Sequence, residues 1–312
     1  MVERAAGQLL HSSPPSIAQV EKALAFMDRF ANKAFLGDEA RIMAQMICAE
    51  LHLLAGRKET AWELITQVGP QVKALEGTGA ESVVKGSFYR AEATYYKVAG
   101  PAGNFYRSTI QYLAHTPPST LTAEKRLEIA VDVSLAALVA TDVYNFGEVL
   151  AQHIVSELET APAQRWVRDL LVVFNNGDVA GFNQLVNTHR AAFEGTVVLA
   201  ANMPLLKQKV ALLCLMKVVF DRPPHERVIA FADIAAACKL DVDQVEWLVM
   251  RAFSQELLRG TIDQVDGVVN ISWLLPRVLD LQQTAVLDGK LVAWKAKVQE
   301  AIQVQAPLAD MF

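Results

Sequence analysis

FADIAAACKLDVDQVEWLVMRAFSQELLRGTIDQVDGVVNISW, residues 231–273, changes its hydrophobic period partway along, and that change decides the fold. Residues 231–238 read as a short helix and 241–257 as a longer one. In the longer helix Val242, Val245, Leu248, Val249, Ala252 and Phe253 share a face at steps of three, three, one, three and one. Asp241 opens it, a carboxylate at the positive end of the helix dipole. Alternation then replaces the helical period. Residues 258–265 and 267–273 read as two strands joined around Asp266-Gly267, a short-range hairpin signal, and 227–230 is also β-compatible. Helix, helix, hairpin is the order of a winged helix-turn-helix.

Upstream of Arg222-Pro223-Pro224 almost every segment is helical, broken by Gly, Pro or Asn. Helices are expected over 16–34, 38–55, 58–75, 81–98, 104–114 and 122–141, the last capped by Thr120 or Thr122. In the second, Ile42, Met46, Ala49 and Leu53 form one stripe and Met43, Ile47 and Leu54 widen it, so that helix is buried on more than one side. Gly69-Pro70 is expected to kink the third. Helix pairs recurring about every forty residues resemble the period of helical-repeat solenoids. Shorter helices between 140 and 195 suit a curved stack. The expected fold is mainly α: a helical-repeat solenoid of antiparallel pairs, then the winged-helix module, then a long C-terminal helix. Its divisions are 1–100 for the amino-terminal repeats, 101–222 and 223–274 for the helical and winged-helix parts of one domain, and 275–312 for the last helix and tail.

That last helix is expected over 276–304, with Pro276 in its first turn, where a missing amide hydrogen costs nothing. Leu287, Leu291, Trp294, Val298 and Ile302 recur at four, three, four and four residues, roughly a coiled-coil seam. Lys290, Lys295, Lys297 and Glu300 lie mostly away from it. Gly289 lowers helix propensity by about 1 kcal/mol relative to Ala. About two heptads is too short to stand alone in water. The stripe is covered either by another polypeptide or by the chain's own winged helix.

Composition narrows the function. The chain has 312 residues, 52% of them hydrophobic, 20% charged, with a net charge of −5. Large-scale disorder is excluded, and nothing global attracts nucleic acid or an anionic membrane. Cys48, Cys214 and Cys238, each within an apolar helical pattern, read as buried reduced thiols, pointing to cytoplasm and nucleus. The first residues lack the apolar run of a secretory signal. The longest near-apolar run, 210–220, contains Lys217 and falls short of the ~20 residues that span a bilayer.

Helical repeats running into a winged helix resemble the PCI domains shared by the proteasome lid, the COP9 signalosome and translation initiation factor three. Residues 231–283 closely resemble the carboxy-terminal region of the lid subunit nine family of the 26S proteasome regulatory particle, also called non-ATPase regulatory subunit thirteen. VYNFGEVL at 143–150, FNNGDVAGF at 174–182 and QKVALLCLMKVVF at 208–220 agree with it. The similarity covers most of the chain from about residue 40; the first forty residues resemble the family poorly, and the amino end looks shorter. The resemblance implies a non-catalytic scaffold in a hetero-oligomeric complex. Its partners would be other PCI-containing lid subunits, joined side by side through the winged helix and through a bundle of terminal helices.

Chemistry finds little support. The recognition-helix position carries Asp241, Asp243, Glu246 and Glu256 against Arg251, a face a phosphate backbone would repel. The outer strand of the hairpin could pair with another sheet, unless the following helix shields it. His11, His52, His115, His153, His189 and His225 are scattered, no His-x-His pair of a metal-dependent deubiquitinase exists, and there is no Gly-x-Ser-x-Gly elbow. Gly77-Thr78-Gly79 lacks the lysine of a phosphate loop and reads as a turn. Phe88, Tyr89, Tyr95, Tyr96, Phe105, Tyr106 and Tyr112 read as an inter-helix core with hydroxyls reaching solvent. No catalytic residue, cofactor or metal site is expected, and neither nucleic acid nor membrane is an expected partner. The rivals are a subunit of the signalosome or of the initiation factor, a winged-helix nucleic-acid binder, and a hydrolase with dispersed catalytic groups.

Overall fold

The computed structural model describes residues 17–31, 37–74, 81–223, 226–278 and 281–309. Among the described residues six long helices come first: α1 (Ile17–Ala31), α2 (Asp38–Leu54), α3 (Lys58–Ala74), α4 (Glu81–Ala99), α5 (Ala102–His115) and α6 (Ala123–Val139). The two-sided burial of α2 is what joins them. Its Ile42, Met46, Ala49 and Leu53 pack with Ile65 and Val68 of α3 and Val84 and Phe88 of α4. Ala44, Ile47, Cys48 and Leu51, on its other side, pack with Val20, Leu24 and Met27 of α1. α3 runs unbroken through Gly69-Pro70. Pro70 lies on the exposed side, so water can serve the carbonyl it leaves without a donor, while Val68 and Val72 hold the buried side on either flank. Thr122, the second of the two cap candidates, accepts the Lys125 amide at 3.4 Å.

From α5 onward a single core continues into the winged helix, from Tyr106 to Ile271. Short helices α7 (Phe146–Ala151), α8 (His153–Ser156), α9 (Arg165–Asn176), α10 (Val179–Thr188), α11 (Arg190–Gly195) and α12 (Val197–Ala201) wrap the long α13 (Met203–Phe220). Because it lies inside that wrapping, α13 is apolar nearly all round. Phe146, Phe174 and Phe182 pack in series, the first pair tilted and the second edge to face, with ring centroids 5.4 and 5.6 Å apart. Gly177 caps α9 at φ 60°, and a Cβ there would lie 2.7 Å from the Cys214 backbone, so only glycine lets α9 turn against α13.

The winged helix comprises β1 (Val228–Ala230), α14 (Phe231–Cys238), α15 (Val242–Ser254), β2 (Leu258–Asp263) and β3 (Val268–Leu274), in an antiparallel sheet of order β1-β3-β2. α15 stops at Ser254 rather than at residue 257. Glu256 adopts φ 55° and the Leu257 amide returns to the Ala252 carbonyl at 3.0 Å, a left-handed cap built without glycine. The hairpin loop is four residues, 264–267, because Asp263 Oδ1 accepts the amides of Val265 (3.0 Å) and Asp266 (3.1 Å) and ends β2 early. Val242, assigned to the core face, is exposed in the first turn.

The terminal helix α16 spans Leu281–Ala309, not 276–304. It begins late because residues 275–278 are tied down as extended chain. The Leu275 amide donates to the Leu257 carbonyl at 2.9 Å, and Arg277 and Val278 are held by the body as described below. At its other end the helix continues five residues past 304 into the stretch expected to be a loose tail.

Candidate assembly surfaces

α16 is the surface the sequence singled out. Twenty-nine residues at 1.5 Å each make a rod of about 44 Å. Every side chain described on it is exposed, including the whole stripe of Leu287, Leu291, Trp294, Val298 and Ile302. Trp294 is 65% accessible. Val286 and Val292, also exposed, lie roughly 100° and 140° around the helix from Leu287, so apolar groups face more than one direction.

The rod is anchored by residues 275–278. Asn145 occupies the N-cap position of α7, yet its side chain makes no capping bond; Oδ1 instead accepts the Val278 amide at 3.2 Å. Gly147 admits the same strand, since a Cβ there would lie 2.9 Å from the Val278 carbonyl oxygen. Arg277 donates to the Asn175 carbonyl and to its side-chain Oδ1, and burial pulls its guanidinium pKa below the ordinary value.

Beneath this anchor lies Lys209 of α13, 2% exposed. Its Nζ donates to the carbonyls of Ala137 (2.7 Å), Leu138 (3.2 Å) and Ala140 (2.6 Å), the open end of α6. The rings of Phe146 and Tyr144 lie 5.0 and 5.3 Å from it. A cation at a helix C-terminus satisfies both the dipole and the orphan carbonyls. Burial pushes its pKa down to about 7, opposed by the charge of Asp142.

In the sheet, β1 and β2 are the outer strands. On α15 the core face is Val245, Leu248, Val249 and Ala252, leaving Trp247 and Met250 outward. Among the described residues no group of three or more His, Cys, Asp and Glu could hold a metal ion, and no helix is long and apolar enough to cross a membrane. All three cysteines are buried and reduced. The hydrogen bond between Cys214 and Cys238, together with burial, holds the Cys238 thiol above its ordinary range, and the same bond draws the Cys214 thiol down. Within the aromatic group, Phe88, Tyr106 and Tyr112 are buried and the others form a half-buried rim, where Trp62 stacks on Tyr95 at 4.7 Å. Tyr106 departs from the expectation: its hydroxyl is buried without a partner among the described residues. Gly77-Thr78-Gly79, His11 and His225 lie outside the described residues.

The family pattern described as PSD13 N-terminal repeats matches residues 7–171, and that described as PCI domain matches 186–273. A protein of Dictyostelium discoideum named 26S proteasome non-ATPase regulatory subunit 13 is 30% identical over 89% of this chain and 72% of its own length. The chain belongs to the 26S proteasome non-ATPase regulatory subunit 13 family. Homolog A of Arabidopsis thaliana is 31% identical over 94% of the chain and 77% of its own length. A weaker match, Eukaryotic translation initiation factor 3 subunit M of Coccidioides immitis, reaches 22% over 69% of the chain and 45% of its own length. Likeness to the subunit 13 family reaches back to residue 7, which corrects the starting point of about residue 40: α1 packs on α2 as one more helix of the same stack, with too few distinctive residues to be recognised alone.

The three short segments that resemble the subunit 13 family meet at one place. Asn145 and Gly147 from the first, Asn175 and Gly177 from the second and Lys209 from the third surround the anchor or the core directly under it. Asn145-Phe146-Gly147 is locally a turn and helix start, and Lys209 is not among the residues singled out by the sequence. The signal for Lys209 was present: it is three residues after Leu206 and four before Leu213, on the buried face of α13. The Asn145–Val278 contact, between residues 133 apart, had none.

Proposed function

We propose that this chain is a structural subunit of the lid of the 26S proteasome regulatory particle, acting in ubiquitin-dependent protein degradation through contacts and not through chemistry of its own. The observation that carries this reading is α16, a long helix with apolar side chains on several sides and none of the described ones covered. A helix apolar beyond a single stripe suits the interior of a bundle better than a two-helix seam. Leu287, Leu291, Trp294, Val298 and Ile302 are its contact residues with other lid subunits. The outer strands of the winged helix join neighbouring PCI domains edge to edge, and the solenoid sets their spacing. The chain divides at 100/101, 222/223 and 274/275; the gap between the two amino-terminal cores and the main core, between Ala91 and Tyr106, supports the first of these. It works in cytoplasm and nucleus.

Affinity purification of the tagged chain, with and without residues 276–312, tests this. The full chain brings down lid subunits and proteasomal ATPases, and the truncated form loses them. Undiminished recovery by the truncated form removes the bundle role, and recovery of ribosomal or signalosome subunits in place of lid subunits removes the assignment.

A further inference from the structure

We infer that the groove between the first turns of α13 and the outward face of α15 is a docking site for an acidic amphipathic helix of another polypeptide. Trp247 is 74% exposed there and Met250 47%, although the core of the winged helix is already closed by the opposite face of α15. Leu205, Ala211 and Leu240 line the floor, and the cavity measures about 1000 Å³. α15 runs about 20 Å, enough to lie along three to four turns of a partner helix.

Charge identifies the occupant. Lys207 and Arg251 line the groove, both exposed and neither in an ion pair among the described residues. No aspartate or glutamate lines it, in a chain whose net charge is −5. Glu246 of α15 is drawn to the other side, where it accepts a hydrogen bond from Gln264 of the hairpin loop at 3.1 Å. An apolar trough flanked by two unpaired cations complements a helix with an apolar stripe and carboxylates beside it. Two cations are few for a duplex, and no other lysine or arginine lines the groove. This surface is separate from α16 and from the sheet edges, so its failure would leave the lid assignment standing.

Fluorescence anisotropy with the full-length chain tests it, using a labelled designed helix of leucine and glutamate, its leucine-lysine counterpart, and a short DNA duplex. The acidic helix binds, and at least roughly tenfold more tightly than the basic one. Trp247→Ala, with an unchanged circular dichroism spectrum, weakens it by about tenfold or more, as loss of a buried aromatic anchor does. Lys207→Glu with Arg251→Glu reverses the preference between the peptides. The inference is overturned if the acidic helix does not bind, if the two peptides bind alike, or if Trp247→Ala changes nothing. Displacement of the peptide by duplex DNA makes the groove a nucleic-acid surface instead. Binding seen only after removal of residues 276–312 assigns the groove to the chain's own terminal segment.

Discussion

α13 and α16 use the same kinds of side chain to opposite ends. In α13, Leu206, Val210, Leu213, Met216 and Val219 are almost wholly withdrawn from water, enclosed by the helices and sheet around them. In α16, Leu291, Val292, Trp294 and Ile302 are each more than half exposed. The hydrophobic effect has no direction and is realised only where something covers the surface, at about 25 cal/mol per Å². Stability of the isolated chain therefore resides in the body. The apolar surface of α16 becomes stabilising only in a complex, and the ties at Asn145, Asn175 and Arg277 make the body responsible for where the rod starts.

The largest break in this contrast is Phe146→Ala. It removes a fully buried ring from the Phe146–Phe174–Phe182 series, and denaturant unfolding of the isolated chain should show a loss of about 3–5 kcal/mol. Lys209→Met comes next, at roughly 2–3 kcal/mol near neutral pH, because it leaves the carbonyls at the end of α6 buried without donors. Its pH dependence sharpens the picture. With the folded pKa at about 7 and the unfolded one in the ordinary lysine range, the unfolded chain holds a proton between those values that the folded chain has released. The cost of burying the charge is full below about 7 and fades as pH rises through that window. Wild-type stability relative to Lys209→Met should thus climb by up to about 1.4 kcal/mol per pH unit. A flat difference would mean that the carbonyls and rings keep the ammonium charged. The smallest effect on the isolated chain is that of Leu291→Ser with Trp294→Ser, within about 0.5 kcal/mol in the same assay, although the double variant should fail to enter the complex. A large loss there would place α16 against its own body in solution.

Local patterns carried most of the architecture. The helical periods, the hairpin and the seam all depend on residues within a few positions of one another, and they led to α2, α4, α14 and the strands with boundaries close to those observed. Boundaries failed where the local residue type was silent. Glu256 takes a left-handed cap that glycine usually marks, Asp263 ends a strand by binding the amides beyond it, and Pro276 is held extended by partners far away in the chain. Trp247 was legible by subtraction, since fixing the core face of α15 leaves it outward; the net acidity of that helix concealed that Arg251 lines the groove while Glu246 is held by the hairpin loop.

By itself the amino-acid order determined which segments coil, which pair as strands and which stretch lacks a covering within its own span, because periodicity and turn chemistry act over a few residues. Only the tertiary structure decided that Lys209 closes the end of α6, that Asn145 gives up its own helix cap to hold Val278, and that two unpaired cations flank an open tryptophan. Those arrangements join residues as far as 133 positions apart, and no short-range pattern records which distant groups a folded core will bring together.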